Sequence, residues 1–234
     1  GTAFSYTISA TNSPTSYGAT GLPPGLTRSG AVISGTPTQV GTFTVGLSAT
    51  NAGGTGNGTL TLTIAKKSAT ISLGNLNQTY DGTVKSASAT TTPANLNVIF
   101  NYVGSRINAG SYDFVASISD PNNTGNTTGT LTIAKANATV TVSGYTGTYD
   151  GAAHGATGTA TGVGGFDLSG GLNLGATFMN APGGTASWTF AGGTNYNNNN
   201  GTAAIVINKA NAAVVVTPYN VEYDGLAHSA TVAS

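Results

Sequence analysis

The sequence predicts an all-β chain of tandem small domains, and three observations carry that reading. Apolar and polar residues alternate in short runs such as Leu60-Thr61-Leu62-Thr63-Ile64 and Ala138-Thr139-Val140-Thr141-Val142, the period-2 pattern of half-buried strands. Turn clusters separate the runs: Gly21-Leu22-Pro23-Pro24-Gly25, Asn51-Ala52-Gly53-Gly54, Pro121-Asn122-Asn123-Thr124-Gly125 and Gly192-Gly193-Thr194-Asn195. Gly and Asn tolerate the positive φ angles that tight hairpins need. Finally, two landmarks recur with one step. Tyr-Asp-Gly stands at Tyr80, Tyr149 and Tyr223, and an apolar run closed by lysine ends at Lys66, Lys135 and Lys209. Both are spaced by 69 and then 74 residues. Two independent markers keeping the same step mean duplicated structural units.

The markers divide the chain at 1–65, 66–135, 136–209 and 210–234. In the first unit the carrying residues are Ala19-Thr20-Gly21-Leu22-Pro23-Pro24-Gly25-Leu26, Ile33-Ser34-Gly35-Thr36-Pro37, Gly41-Thr42-Phe43-Thr44-Val45 and Ala49-Thr50-Asn51-Ala52-Gly53-Gly54. They closely resemble an immunoglobulin-like domain family of bacterial surface proteins. The resemblance covers nearly all of the unit and implies a β-sandwich that ordinarily begins with one strand more than Gly1 allows. Related calcium-binding sandwiches use acidic linker motifs. No Asp or Glu precedes Asp81, so calcium bridging at the first junction is not expected.

The second and third units resemble the Tyr-Asp-Gly-type repeats of large bacterial extracellular proteins. The matching residues are Tyr80-Asp81-Gly82, Asn108-Ala109-Gly110-Ser111-Tyr112, Ser119-Asp120-Pro121-Asn122 and Leu131 to Ala136, then Tyr149-Asp150-Gly151, Asn195-Tyr196 and Ile205 to Ala210. The resemblance implies an exported structural module and carries no catalytic residue. These units are shorter than the roughly 100 residues of an immunoglobulin domain, so the repeats are either compact Ig-like sandwiches or β-grasp-like folds. In the third unit, Ala138–Ser143 and Ala153–Thr161 are expected to form a first hairpin, and Thr185–Phe190 and Ala203–Ile207 a last one. The run from Leu131 to Val142 has almost no breaker, so a short extended linker is expected between units. Domains this small hide only about 60% of their unfolded surface and are marginal alone. The fourth unit, 210–234, reads as the start of a further repeat cut by the end of the chain.

Charged residues make up only 6% of the chain, and seven basic side chains cancel seven acidic ones. A nucleic-acid interface needs a clustered excess of Lys and Arg, and a membrane-spanning helix needs about 20 apolar residues. Neither pattern is present. Solubility therefore rests on Thr, Ser, Asn and exposed backbone. The chain has no cysteine, so disulfides do not supplement the small cores.

Each candidate site has a structural reading that outweighs the chemical one. Asp81, Asp150 and Asp224 in the Tyr-Asp-Gly motif read as turn residues capping backbone amides, not as metal ligands or general bases. His154 and His228 hold equivalent positions, with Lys85 in that place in the second unit, and the two histidines read as exposed strand residues. Asp120 to Asn126 resembles an oxygen-rich calcium loop but lacks the closing bidentate acid, and reads as a hairpin turn. Lys66, Lys135 and Lys209 invite the idea of a Lys–Asn isopeptide bond, which their place at junctions and the scarcity of acids argue against. Sequons at Asn57, Asn77, Asn122, Asn126, Asn137 and Asn200 are expected by chance in so Asn- and Thr-rich a chain. Trp188 is read as a core residue, and Tyr196 as part of a polar loop over Asn195–Asn200.

No catalytic residue, cofactor or metal is assigned. The function expected is that of a non-enzymatic structural segment of a long bacterial extracellular protein, acting as spacer or assembly module in a stalk, adhesin shaft or filament. The alternative is a carbohydrate-binding accessory region of a secreted enzyme, which requires an exposed row of aromatics on one sheet face. Expected partners are neighbouring repeats of the same chain, other copies in a fibre, and surface glycans. Nucleic acid is excluded as a partner, and no membrane span is expected within the segment.

Overall fold

A computed structural model describes residues 1–216 and 220–229. Residues 217–219 and 230–234 of the expected fourth unit lie outside the described residues. The chain forms two compact units, one through Lys135 and one from Ala136 onward.

The first unit opens with a sandwich of two antiparallel sheets. Its strands are β1 (Phe4–Thr7), β2 (Ser16–Thr20), β3 (Leu26–Ser29), β4 (Val32–Gly35), β5 (Gly41–Asn51) and β6 (Gly54–Ile64). One sheet has the order β1-β4-β3 and the other β2-β5-β6. Alternation places Ile8, Leu26, Ile33 and Val45 between the sheets, with Tyr6, Tyr17, Leu60 and Leu62 packed around them. Ile33 and Val45 are fully buried, and burial of each such side chain contributes about 1.5–3 kcal/mol. The Gly-Leu-Pro-Pro-Gly turn owes its second glycine to close approach as well as dihedral. Gly25 has φ +88°, and a Cβ there would lie 2.1 Å from the Thr36 carbonyl oxygen.

The same unit continues with β7 (Lys67–Ser68), β8 (Thr70–Gly74), β9 (Asn77–Thr79), β10 (Ser88–Thr92), β11 (Val98–Tyr102), β12 (Gly110–Ile118), β13 (Asn123–Thr124) and β14 (Asn126–Ala134). Strands β8 and β10 make a two-stranded sheet, and β11-β12-β14-β9 make a four-stranded one. Between them sit Ala87, Phe114, Ala116, Leu131 and Ile133. The rings of Phe100, Tyr102 and Phe114 pack together, with centroids 4.8–6.0 Å apart.

The second unit repeats this plan with β15 (Thr139–Ser143), β16 (Tyr145–Thr148), β17 (Thr157–Thr161), β18 (Leu172–Asn173), β19 (Gly183–Phe190) and β20 (Asn199–Asn208). The sheets are β15-β17 and β16-β20-β19-β18. Ala186, Ile205 and Ile207 form the core. Short 3-10 turns at Val163–Gly165 and Ser169–Gly171 are the only helical pieces among the described residues.

The topology decides between the two folds left open by the sequence. Each repeat has two sheets facing one another, not one sheet wrapped on a helix, so both are compact Ig-like sandwiches. The expected last hairpin of the third unit is present as β19–β20. The expected first hairpin is corrected. Strands β15 and β17 do pair antiparallel, but β16 intervenes between them and leaves for the other sheet, where it runs parallel to β20. Strand β9 does the same against β14. The crossing passes through one special residue in each repeat. In the later repeat it is Gly144, where close approach matters, since a Cβ would stand 2.0 Å from the Ala204 carbonyl oxygen; in the earlier one it is Asn75, where the backbone takes φ +53°.

Candidate functional site

The recurring Tyr-Asp-Gly motif builds the same turn each time. Gly82, Gly151 and Gly225 have φ of +80°, +81° and +75°, the left-handed region that glycine enters without steric cost. The preceding carboxylate folds back over the turn. Asp81 accepts hydrogen bonds from the Thr83 amide at 2.9 Å and the Thr83 hydroxyl at 2.6 Å. Asp150 accepts from the Ala152 amide at 2.8 Å, and Asp224 from the Leu226 amide at 2.9 Å. The tyrosine amide ties the turn to the end of the last strand: Tyr80 donates to the Ala134 carbonyl and Tyr149 to the Asn208 carbonyl. The turn reading of the motif therefore accounts for its geometry.

Each carboxylate also meets a basic side chain four residues on. Lys85 pairs with Asp81, His154 Nε2 lies 2.9 Å from Asp150 Oδ1, and His228 Nε2 lies 2.8 Å from Asp224 Oδ1. This corrects the reading of His154 as an exposed strand residue, while His228 is exposed as expected but lies outside any strand. The His154 ring stacks on Tyr145 with centroids 3.9 Å apart and planes 6° from parallel, and only 17% of its side chain is exposed. Its backbone exchanges two hydrogen bonds with Phe178. The Lys85 hydrogen bond holds the Asp81 carboxyl well below the usual carboxylate range, with the Thr83 bonds adding to it. Asp150 and Asp224 are lowered chiefly by the backbone amides of Ala152 and Leu226, then by their histidines. The signal for this latch was in the sequence: a Lys replaced by His at one fixed offset keeps a side-chain nitrogen opposite the aspartate.

A second construction recurs where each repeat begins. Lys67 and Ala69 donate their amides to the carbonyls of Asn122 and Thr124, and β7 runs parallel to β13. In the next repeat, Ala136 donates to the Asn195 carbonyl and accepts from the Asn197 amide. The entering segment is thus stitched to the loop before the last strand in both. Asp120 organises the first of these loops. Its Oδ1 accepts from the Asn122 amide, the Asn123 amide and the Asn123 side chain at 2.7–2.9 Å, which lowers its pKa, the Asn123 side chain first. The hairpin turn expected at Asp120–Asn126 is a loop carrying the short strand β13. Lys66 Nζ donates to the Asp120 backbone carbonyl at 2.7 Å.

Tyr196 is corrected from a polar-loop residue to a buried anchor, 6% exposed, whose hydroxyl accepts the Val163 amide at 3.0 Å. Trp188 is half-buried and covers its cross-strand partner Gly201. The large exposed aromatics among the described residues are Tyr149, Phe166 and Tyr223, and all three lie outside strands. They do not form a row on a sheet face. Among the described residues no three His, Cys, Asp or Glu side chains gather as metal ligands, and no helix is long and apolar enough to cross a membrane.

The comparisons with known proteins follow this architecture. Residues 1–65 match the family model described as "Putative Ig domain", and residues 69–137 match that of the "MBG domain". The chain is thus a tandem-repeat region in which an Ig-like domain precedes a Tyr-Asp-Gly-type repeat. No curated protein matches. Among solved structures, the chain is similar to an endo-fucoidan hydrolase, MfFcnA4, from glycoside hydrolase family 107, at 15% identity and a TM-score of 0.25. A second structure of that enzyme, carrying a substitution, matches at 15% identity and a TM-score of 0.24. Each match covers 90% of this chain and 42% of the enzyme, and likenesses this low assign neither fold nor activity.

Proposed function

We propose that this chain is a non-catalytic spacer in a long bacterial extracellular protein, a stalk or fibre shaft that holds other parts away from a surface. The observation that carries the reading is the repeated stitch at each entry, Lys67 with Asn122 and Ala136 with Asn195. A catalytic domain concentrates its unusual chemistry once, in one cleft. Here the same turn, latch and stitch are built again at a 69- or 74-residue step, and the aspartates of the turns are engaged in holding backbone amides. The near absence of charge gives a surface that salt and pH affect little, which suits the outside of a cell.

The reading is tested by length. Inserting one further copy of residues 136–209 after Lys209 should extend the maximum dimension, measured by small-angle scattering, by roughly 30–40 Å, the span of a ten-residue strand. An unchanged dimension overturns it.

A further inference from the structure

We propose that the outer edge of β6 pairs antiparallel with the same edge of a second copy, joining two three-stranded sheets into one of six strands. Strand β6 is 11 residues long and ends its sheet, with β5 on one side and, among the described residues, no strand on the other. The other sheet-edge strands among the described residues run five residues or fewer. Natural monomers guard long edges with charged residues, proline or bulges. From Gly41 to Ile64 there is no Lys, Arg, Asp, Glu or Pro. The neutral edge therefore carries a row of backbone donors and acceptors that another extended strand completes, without charge repulsion between identical chains.

What selects a second copy is the order of residues along the strand. Its core-facing positions read Gly54, Gly56, Gly58, Leu60, Leu62, Ile64, three glycines followed by three large apolar residues. Two-fold antiparallel pairing centred on Thr59 sets Leu60 opposite the partner's Gly58, Leu62 opposite Gly56 and Ile64 opposite Gly54. Cross-strand partners share a face, so each large side chain meets a glycine and each glycine a large side chain.

The space is present to receive them. A Cβ built on Gly54, Gly56 or Gly58 would meet nothing within 4 Å. A groove of about 710 Å³ lies beside them, walled by Ile8, Asn12, Pro14, Leu47 and Ala49. Elsewhere in the chain a glycine opposite an aromatic is covered by it: Phe114 lies over Gly129 and Trp188 over Gly201. On the outer face the same register sets Thr59 against itself, Asn57 against Thr61 and Thr55 against Thr63. All five side chains are exposed; Thr55 and Thr63 share hydrogen bonds with Thr50 and Thr42 of β5, and Thr59, Asn57 and Thr61 are placed to hydrogen-bond across the seam. A closed two-fold contact of this kind is the commonest way identical chains associate. It stands independently of the spacer reading, since a monomeric chain still spans distance.

The 22.9 kDa chain should sediment as a monomer at low concentration and double its mass as concentration rises. Register is read with single cysteines, the native chain having none. Paired residues across strands lie 4.5–5.5 Å apart at Cα, within disulfide range. Under mild oxidation Thr59→Cys should form covalent dimers at least ten-fold faster than Thr63→Cys alone, while Thr63→Cys mixed with Thr55→Cys should cross-link as a heterodimer. Gly58→Val has room in the monomer and should keep the fold while weakening association at least ten-fold, because it occupies the place of the partner's Leu60. A chain that stays monomeric at all concentrations, or equal cross-linking rates for Thr59→Cys and Thr63→Cys, overturns the proposal. The first outcome leaves the length test of the spacer untouched.

Discussion

The two Tyr-Asp-Gly repeats, one ending in β14 and one in β20, solve one problem with different side chains. Both hang one early strand, β9 or β16, parallel to the last one and stitch the entering segment to a loop. The earlier repeat closes its latch with Lys85 and braces it with aromatics. The Arg106 guanidinium lies 3.9 Å over the Tyr102 ring, Arg106 Nε donates to the Lys85 carbonyl, and the Tyr102 hydroxyl accepts the Ala87 amide. The later repeat closes its latch with His154, stacks that ring on Tyr145, and anchors its extra residues with Tyr196. What the difference teaches is that hydrogen-bonded backbone geometry is the constant, and the packing around it is replaceable.

Equivalent core positions should break the two repeats separately. Leu131 and Ile205 sit 74 residues apart, both essentially fully buried. Leu131→Ala and Ile205→Ala are each expected to cost about 3 kcal/mol, each in the denaturation transition of its own unit. A single shared transition shifted equally by both would remove the comparison. The strand-crossing position should give the next largest effect. Gly144→Ala drives a Cβ into the Ala204 carbonyl and should cost about 2 kcal/mol, whereas Asn75→Gly should be neutral or stabilising, because glycine enters that positive φ freely.

The anchor of the later repeat is a smaller matter. Tyr196→Phe keeps the buried ring and leaves the Val163 amide without its acceptor, a loss of about 1 kcal/mol seen as a lowered urea midpoint. Acid should produce the mildest change. Asp81, Asp120, Asp150 and Asp167 all have folded pKa values below the ordinary 3.8. Below that value the unfolded chain binds more protons, so this stability is fully present at neutral pH and is lost as pH falls below 3.8. Asp81 is lowered furthest because Lys85 is its partner. Asp81→Asn should therefore flatten the acid limb more than Asp150→Asn does, and equal slopes would show that the two latches respond alike.

Much of this was legible from the residues alone. Alternation of apolar and polar positions marks strands because side chains on a strand point to opposite faces. It located β14, β15, β19 and β20 to within a few residues. Repetition marked the units, and Asp-Gly marked the turns. The misreadings share one cause: they concern residues whose partners lie far along the chain. Tyr196 sits among asparagines and looks like loop, yet its hydroxyl is met by Val163 from across the repeat. His154 looks like an exposed strand residue until Tyr145 and Phe178 are folded against it.

Local sequence determined the all-β class, the repeat step and the left-handed glycine turns, since strand alternation and positive φ are properties of single residues and near neighbours. Tertiary structure alone decided that β9 and β16 leave the preceding strand's sheet to lie parallel to the last strand, that the Tyr-Asp-Gly repeats are sandwiches, and that β6 ends its sheet. Pairing between strands is a long-range choice, set by which faces can be buried together and which backbone groups remain to be satisfied.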